Sequence, residues 1–259
     1  MQCANNIGIH FLVMMKICTF AVTNMPTMNM KQTMEIGGRE CLLFNEGEEP
    51  KVLLIQPLDA QERDSIDSEV AMISEATGAS FVMAAFAITD WEAELTPWHD
   101  PVVSKRQEVG DHAFDTLDYI TDSLLPYLKE QFGPLPVVLG GYSLGGLFAR
   151  WAVSKAECFD AAAAVSPSLW IDAWCGFSEA HAVYARYVYL SLGDREERTR
   201  HKAIAQVGNN VRWEHEHLQQ ILGPDHTTLE WNPGNHFSDA ALRTAKGFAW
   251  CVNKINLNK

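Results

Sequence analysis

The hexapeptide GYSLGG occupies residues 141–146, near the middle of the chain. An apolar run, VVLG at 137–140, precedes it, and the segment LFARWA at 147–152 has the composition of a helix. A strand, a glycine-flanked serine and a helix form the context in which G-x-S-x-G makes a nucleophile elbow. The glycines are expected because a serine in so sharp a turn lies in strained backbone, with no room for side chains two positions away. The motif therefore predicts that Ser143 is raised above a sheet at a helix N-terminus, where an oxyanion can bind.

The composition is that of one sizeable globular domain. The chain has 259 residues, of which 47% are hydrophobic and 20% charged. The net charge of −13 argues against binding to nucleic acid or to anionic membranes. The six cysteines form no C-x-x-C pair, which favours small apolar residues in a reducing compartment over a disulfide framework. They are Cys3, Cys18, Cys41, Cys158, Cys175 and Cys251.

The N-terminal region does not have the order of a signal peptide. Residues 7–22 are mostly apolar, but Lys16 interrupts them and no Lys or Arg precedes them. The run is also short for a membrane span. Several methionines offer alternative starts, so we expect residues 1–30 to be an extension and residues 31–259 to form the domain. The expected location is cytoplasmic, with secretion left open because the start is ambiguous.

Apolar runs and helical periodicities alternate along the chain. Helices are predicted at 62–76, from Asp111 to 132, at 147–152, at 204–221 and at 238–251, with Gly or Pro ending several of them. Strands are predicted at 33–36, 40–44, 51–55, 80–88, 137–140, 159–166, 187–192 and 227–231, the first two as a hairpin around Gly37-Gly38. This order predicts an α/β fold whose mostly parallel central sheet carries helices on both faces. Ligands bind such sheets at the carboxyl ends of the strands, where the GYSLGG motif lies.

A nucleophilic serine needs a histidine as base and a carboxylate as acid. When the serine lies in a nucleophile elbow, the acid follows it along the chain and the histidine comes last. His236 comes just after the last predicted strand and before the last helix, which places it over the same end of the sheet. The loop after the preceding strand reads GDREE at 193–197 and holds three carboxylates. Asp194, Glu196 and Glu197 are therefore competing candidates for the acid, and their spacing does not choose between them.

The chain resembles the α/β-hydrolase superfamily and, within it, the esterases of the esterase D and enterochelin esterase type. The resemblance extends over roughly 52–250 and is carried by GYSLGG at 141–146, SPSLW at 166–170, GDRE at 193–196 and GNHF at 234–237. In that family the acid usually stands three positions after the glycine that ends the strand, which implies Glu196. The histidine commonly follows Gly-Gly or Gly-x, which implies His236.

The same resemblance implies an oxyanion hole. One donor would be the backbone N–H of Leu144. The second would come from the loop after Ile55, where Pro57 has no N–H, so that Leu58 is preferred and Gln56 stands second.

A substrate pocket could be lined by Trp91, Trp98, Tyr142 and Trp170, although tryptophans in such loops also serve simply to close a core.

The function that these residues predict is hydrolysis of a small-molecule carboxylic ester through an acyl-enzyme. Ser143 would be the nucleophile, His236 the base and Glu196 the acid, with no metal and no cofactor. Alternatives with the same triad are a thioesterase, a siderophore-lactone hydrolase and a peptidase, because specificity lies in loops. A binding protein that has kept the fold without catalysis is the alternative from another class. The sequence does not indicate an oligomeric state.

Overall fold

A computed structural model describes residues 30–60, 62–105 and 110–256. The predicted extension, 1–30, lies outside the described residues except for Met30, which begins the first strand. Cys3 and Cys18 also lie outside them. Within the described ranges, no helix combines the length and the apolar character needed to cross a bilayer.

The described residues form one eight-stranded sheet. Its strands are β1 (Met30–Ile36), β2 (Arg39–Glu46), β3 (Leu53–Leu58), β4 (Phe81–Ala87), β5 (Val137–Tyr142), β6 (Ala161–Val165), β7 (Tyr187–Gly193) and β8 (Thr227–Asn232). Their spatial order is β1-β2-β4-β3-β5-β6-β7-β8. The pairs β1–β2 and β2–β4 are antiparallel and the other five pairs are parallel. The predicted hairpin and the mostly parallel sheet are thus confirmed.

Helices cover both faces of this sheet. They are α1 (Ile66–Thr77), α2 (Trp91–Leu95), α3 (Ala113–Tyr119), α4 (Leu125–Phe132), α5 (Leu144–Ala152), α6 (Trp174–Ala180), α7 (Val207–Leu222) and α8 (Ala240–Asn256). Side chains of α1 and α8 pack in one apolar cluster, and those of α3, α4, α5 and α7 pack in another. Alternate residues of the strands enter the two clusters: Leu54 faces α1 and α8, whereas Leu53 and Ile55 face the other layer.

The structure departs from the sequence expectation in several places, among them the short helices α2 and α6, which were not predicted. The helix predicted from Asp111 begins at Ala113, with His112 at the N-cap position. It is also interrupted by a π-helical turn, Ile120–Leu124, between α3 and α4. Pro126 explains the interruption, because its ring removes one N–H and collides with the carbonyl one turn earlier. Leu125 N–H accordingly donates to Ile120 O, five residues back.

The parallel strands bring three distant segments to one edge of the sheet. β5 ends directly before Ser143, β7 ends three residues before Glu196, and β8 ends four residues before His236. Because the carboxyl ends of parallel strands share an edge, the three side chains emerge together. That edge is the position of the candidate site.

Candidate active site

Ser143 occupies strained backbone at the junction of β5 and α5. Its φ is 58° and its ψ is −115°, a region that residues other than glycine rarely adopt. The Ser143 N–H donates to Val165 O at 3.0 Å, which ties the turn to β6. The conformation therefore holds the serine side chain away from the helix and over the edge of the sheet.

The glycines around Ser143 are required to different degrees. A Cβ on Gly141 would lie 2.8 Å from the carbonyl carbon of Gly145, and one on Gly146 would lie 2.8 Å from Val165 O. A Cβ on Gly145 would lie no closer than 3.4 Å, to Pro57 Cγ. The sequence analysis expected no room for a side chain at Gly145, the second glycine of G-x-S-x-G. The tight contact lies instead at Gly146, where α5 crosses β6.

Three side chains form a hydrogen-bonded chain at this edge. Ser143 Oγ lies 2.9 Å from His236 Nε2, and His236 Nδ1 lies 2.7 Å from Glu196 Oε2. With the ring proton on Nδ1, His236 donates to Glu196 and its free Nε2 can accept the hydroxyl proton of Ser143. A second hydroxyl, Ser168 Oγ, lies 3.4 Å from Ser143 Oγ.

The Glu196 carboxylate is buried and held ionised. Burial raises its pKa, but hydrogen bonds from His236, from Arg243 and from the Gly193 N–H outweigh burial and hold the pKa below its usual range. Its Oε1 accepts from Arg243 Nη2 at 2.5 Å and from Gly193 N–H at 2.7 Å. Oε2 is thereby left to His236, so each oxygen has a defined partner.

The two alternative acids have other partners. Asp194 Oδ1 accepts from the Gly234 N–H at 2.9 Å, which joins the loop after β7 to the loop that carries His236. Glu197 accepts from both terminal nitrogens of Arg212, at 2.8 and 3.0 Å. Among the three carboxylates left open by spacing, Glu196 is therefore the one in contact with His236.

Sequence reasoning missed Arg243, whose guanidinium is 1% exposed on α8. It donates to Glu196, to Ser166 Oγ at 2.6 Å and to Tyr142 Oη at 2.7 Å. These three partners lie 47 to 101 residues away in the chain, and Arg243 also donates to the nearby carbonyls of Asn235 and Ser238. The available signal was a charged residue on the apolar face of the last helix, because such a charge must be paired when buried.

Tyr142 lies behind Ser143, is 6% exposed, and does not line the cavity that contains Ser143 and His236. Burial raises the pKa of Tyr142 to about 12. Its hydroxyl donates to His236 O at 2.8 Å while it accepts from Arg243. The phenol therefore connects the guanidinium to the backbone of the histidine loop.

A cavity of about 410 Å³ opens beside Ser143 and His236. Trp170 lines it, whereas Trp91 and Trp98 do not. Trp98 Nε1 donates to Asp172 O at 3.0 Å and its ring stacks on Trp174, so this side chain closes the core beside the site. Trp91 is the first residue of α2 and lies next to Gly145, packed against the start of α5.

The first turn of α5 presents backbone donors at Ser143. Leu147 N–H donates to Ser143 O at 3.0 Å, so the preceding amides, including that of Leu144, have no carbonyl one turn earlier. Leu58 is the last residue of β3 and not a loop residue, and its carbonyl accepts from Ile88 N–H. Within the described ranges no group of three or more His, Cys, Asp and Glu side chains is arranged to hold a metal ion.

The sequence profile of a family described as "Putative esterase" matches residues 64–239, which is more than half of the chain. This range includes Ser143, Glu196 and His236. A comparison with curated proteins gave no match.

Solved structures share the fold at low sequence identity. The siderophore hydrolase EstA from Aspergillus nidulans superposes with a TM-score of 0.66 at 18% identity, over 88% of this chain and 94% of that one. EstB from the same organism gives 0.64 at 17%, over 89% and 96%. The enterobactin esterase FES from Shigella flexneri gives 0.59 at 15%, over 90% of this chain and 60% of that chain.

The similarity to these structures extends over nearly all of the described residues and agrees with the mostly parallel sheet and its two helical layers. The family profile, in addition, matches the amino-acid sequence and not only the fold. The chain therefore belongs to this esterase family of α/β-hydrolases and is a carboxylic ester hydrolase.

Proposed function

We propose that the protein hydrolyses a small carboxylic ester with Ser143 as nucleophile, His236 as general base and Glu196 as the acid that orients the imidazole. The observation that supports this most directly is the unbroken series of hydrogen bonds from Ser143 Oγ through His236 to Glu196. The buried, ionised Glu196 holds the proton on Nδ1 and stabilises the imidazolium that forms during reaction.

In the first half-reaction, Ser143 Oγ attacks the ester carbonyl while His236 Nε2 takes the hydroxyl proton. The carbonyl electron pair moves to oxygen, and the resulting oxyanion accepts hydrogen bonds from the Leu144 N–H and a second donor, for which Leu58 is our candidate. The intermediate collapses when the C–O bond to the alcohol breaks, and His236 gives its proton to the departing alkoxide.

In the second half-reaction, water attacks the acyl-enzyme. His236 takes a proton from the water, the acyl carbon–Ser143 bond breaks, and the serine regains its hydrogen. The products are the carboxylic acid and the alcohol, and the enzyme returns to its initial state. Every step uses groups of this chain and water, so the proposed cycle requires no metal and no cofactor.

The first test is Ser143→Ala, assayed with p-nitrophenyl acetate. We expect a loss of at least about 10³-fold in kcat, because the nucleophile is absent while the fold is retained. A fluorophosphonate probe should label the wild-type protein on Ser143 and leave the variant unlabelled. The matched control is Ser154→Ala, whose hydroxyl contacts Arg150 on the far side of α5. Undiminished turnover in Ser143→Ala would contradict the proposal, and an unlabelled wild-type protein would favour the non-catalytic binding protein.

The kind of acyl bond is tested by a substrate panel. Matched p-nitrophenyl, thiophenyl and p-nitroanilide acyl derivatives separate an esterase from a thioesterase and a peptidase. Siderophore esters belong in the panel because the similar structures include siderophore hydrolases. We expect the oxygen esters to be turned over fastest.

We also propose a cytoplasmic location, which the four free cysteines of the described residues support.

A further inference from the structure

We infer that the ester substrate carries an anionic group, and that Arg195 and Arg198 bind it at the mouth of the cavity. This inference rests on the proposed function and adds the chemical class of the substrate. Both arginines line the cavity of about 410 Å³ that contains Ser143 and His236. They flank Glu196 in sequence, so the turn that supplies the acid also supplies the anion-binding residues.

Backbone hydrogen bonds hold the two arginines beside the site. Arg195 N–H donates to Gly234 O at 3.0 Å, on the loop that carries His236. Arg198 N–H donates to Arg195 O at 3.1 Å and closes the short 3-10 turn Glu196–Arg198. The backbone of this segment is thus fixed, while both side chains are exposed and can turn toward a bound group.

Within the described part of the chain, no carboxylate lies within 4 Å of the Arg198 guanidinium. The nearest carboxylate oxygen to Arg195 is that of Asp194, at 3.8 Å, and more than half of each side chain is exposed. A contact of that kind contributes little and is easily exchanged for another anion.

Apart from Asp194, the carboxylates of the same turn are already compensated. Glu196 is paired with Arg243 and His236, and Glu197 is paired with Arg212. The mouth of the cavity therefore has an excess of positive charge, in a chain whose net charge is −13. Such a local reversal attracts an anion at short range, because the distant negative charges are screened by salt.

The rest of the cavity wall is largely apolar. Trp170, Ile204, Val207 and Phe237 contribute to it, and Phe237 is 89% exposed directly beside His236. An aromatic ring so fully exposed at the entrance is suited to contact with a ligand. The arrangement fits an ester with an apolar body and an acidic group, since a guanidinium fork binds carboxylate or phosphate through two parallel hydrogen bonds.

The test compares esters that differ only in charge. Mono-4-nitrophenyl adipate and its neutral methyl ester place the anion on the acyl side. 4-Acetoxybenzoate and its methyl ester place it on the alcohol side. Rates are corrected for the Ser143→Ala background, and kcat/KM is measured in wild type, Arg198→Gln and Arg195→Gln. Arg198→Lys tests the requirement for the fork, and Arg200→Gln is the matched control because Arg200 belongs to the same segment but does not line the cavity.

We expect one anionic ester to be preferred over its neutral partner by about tenfold, the equivalent of one charge-assisted hydrogen bond. Arg198→Gln should remove most of that preference, mainly by lowering kcat/KM for the anionic ester. Arg198→Lys should keep part of the preference for the anionic ester, and Arg200→Gln should leave the preference unchanged. Added salt should reduce the preference of the wild-type protein.

Two different failures can be told apart. Ser143-dependent hydrolysis of the neutral esters without a preference for either anionic partner would overturn this inference and leave the proposed function standing. A preference that survives in both arginine variants would overturn it as well. Failure of the wild-type protein to hydrolyse any of the four esters faster than Ser143→Ala would contradict the proposed function, and the inference with it.

Discussion

The Glu196 carboxylate receives hydrogen bonds on both of its oxygens, and the two oxygens have separate tasks. Oε1 is occupied by Arg243, Ser166 and the Gly193 N–H, which fix the carboxylate in place. Oε2 faces His236. We therefore expect Arg243 to be a positioning residue that acts through Glu196, and its effect on activity can be separated from its effect on folding.

For Arg243→Gln we expect about a tenfold fall in kcat with little change in KM, because the cavity wall is untouched. Loss of the guanidinium also lets the pKa of Glu196 rise, so that the carboxylate protonates at higher pH. The acid limb of the kcat profile should therefore move to higher pH. Arg243→Lys, which keeps the charge and loses the fork, should show a smaller shift. The measurement is kcat against pH for the three proteins.

Arg150→Gln is the control for burial alone. Arg150 is fully buried and donates to Glu214 at 2.6 Å, to Ser154 and to Ser178, none of which contacts Ser143, His236 or Glu196. Removing it should lower the melting temperature strongly, since a buried carboxylate is left unpaired. The profile of kcat against pH for Arg150→Gln should match that of the wild-type protein. An equal displacement of the profiles of Arg150→Gln and Arg243→Gln would mean that Arg243 has only a structural role.

The residues of the site were accessible to sequence reasoning to different degrees. Ser143 is marked by a local motif, and the position of His236 follows from the order of elements. Glu196 could be preferred only through the family resemblance, because Asp194 and Glu197 share its loop. Arg243 was missed since nothing local relates it to its distant partners. The structure brings these side chains together, and their catalytic roles stay predictions.

At the scale of elements, the contact between α5 and β6 constrains the elbow more than the contact between α5 and β3. The backbone of β6 approaches Gly146 so closely that a methyl group would have to displace main-chain atoms. The nearest atoms to Gly145 belong to the side chains of Pro57 and Trp91, at 3.4 Å and beyond. The two neighbouring glycines should consequently respond differently to the same substitution.

Gly146→Ala should lower the free energy of unfolding by about 1–3 kcal/mol, the usual cost of overpacking a tight contact. Gly145→Ala should change it by less than about 1 kcal/mol, because the strain at Pro57 is offset by the better helix propensity of alanine. Chemical denaturation of both variants measures the difference. Equal destabilisation would show that the α5–β6 approach is not the critical contact.

Helix and strand periodicity predicted the order of the eight strands and of the longer helices, whereas the short helices α2 and α6 were not predicted. Pro126 produces the π-helical turn between α3 and α4, which an apolar repeat of three or four residues cannot reveal. β3 extends to Leu58 despite Pro57, because its pairing with β5 ends at Ile55 and Pro57 pairs only with β4. Elements whose pattern was continuous, such as α7 and the β1–β2 hairpin, agree with the prediction within a few residues.

For the whole molecule, buried carboxyls outside the site contribute to the pH dependence of stability. Glu69 on α1 is 3% exposed; burial, followed by the charge of Glu62, raises its pKa well above 4.5. Burial and the charge of Asp59 raise the pKa of Glu62 to about 8. A raised pKa in the folded state means that the contribution to stability is complete below about 4.5 and is lost as the pH rises through the folded pKa.

The free energy of unfolding should therefore fall as the pH rises from about 5 to 8, by up to about 1.4 kcal/mol per pH unit for each group. Glu69→Gln should flatten this dependence and raise the melting temperature at pH 8 more than at pH 5. Thermal unfolding at the two pH values measures it. Glu75→Gln, on the exposed face of α1, is the control and should leave the slope unchanged. A steeper slope in Glu69→Gln would contradict the assignment.

The position of Arg243 on the final helix has a consequence for shortened forms of the protein. A premature stop codon or a proteolytic cut just before residue 243 would spare Ser143, Glu196 and His236, yet it would remove the cation that Glu196 and Tyr142 share. Such a fragment would still contain every residue of the proposed triad in its sequence. It would lack the counter-ion of Glu196 together with most of the buried face of α8, so we expect the loss of residues 243–256 to affect chemistry as well as packing.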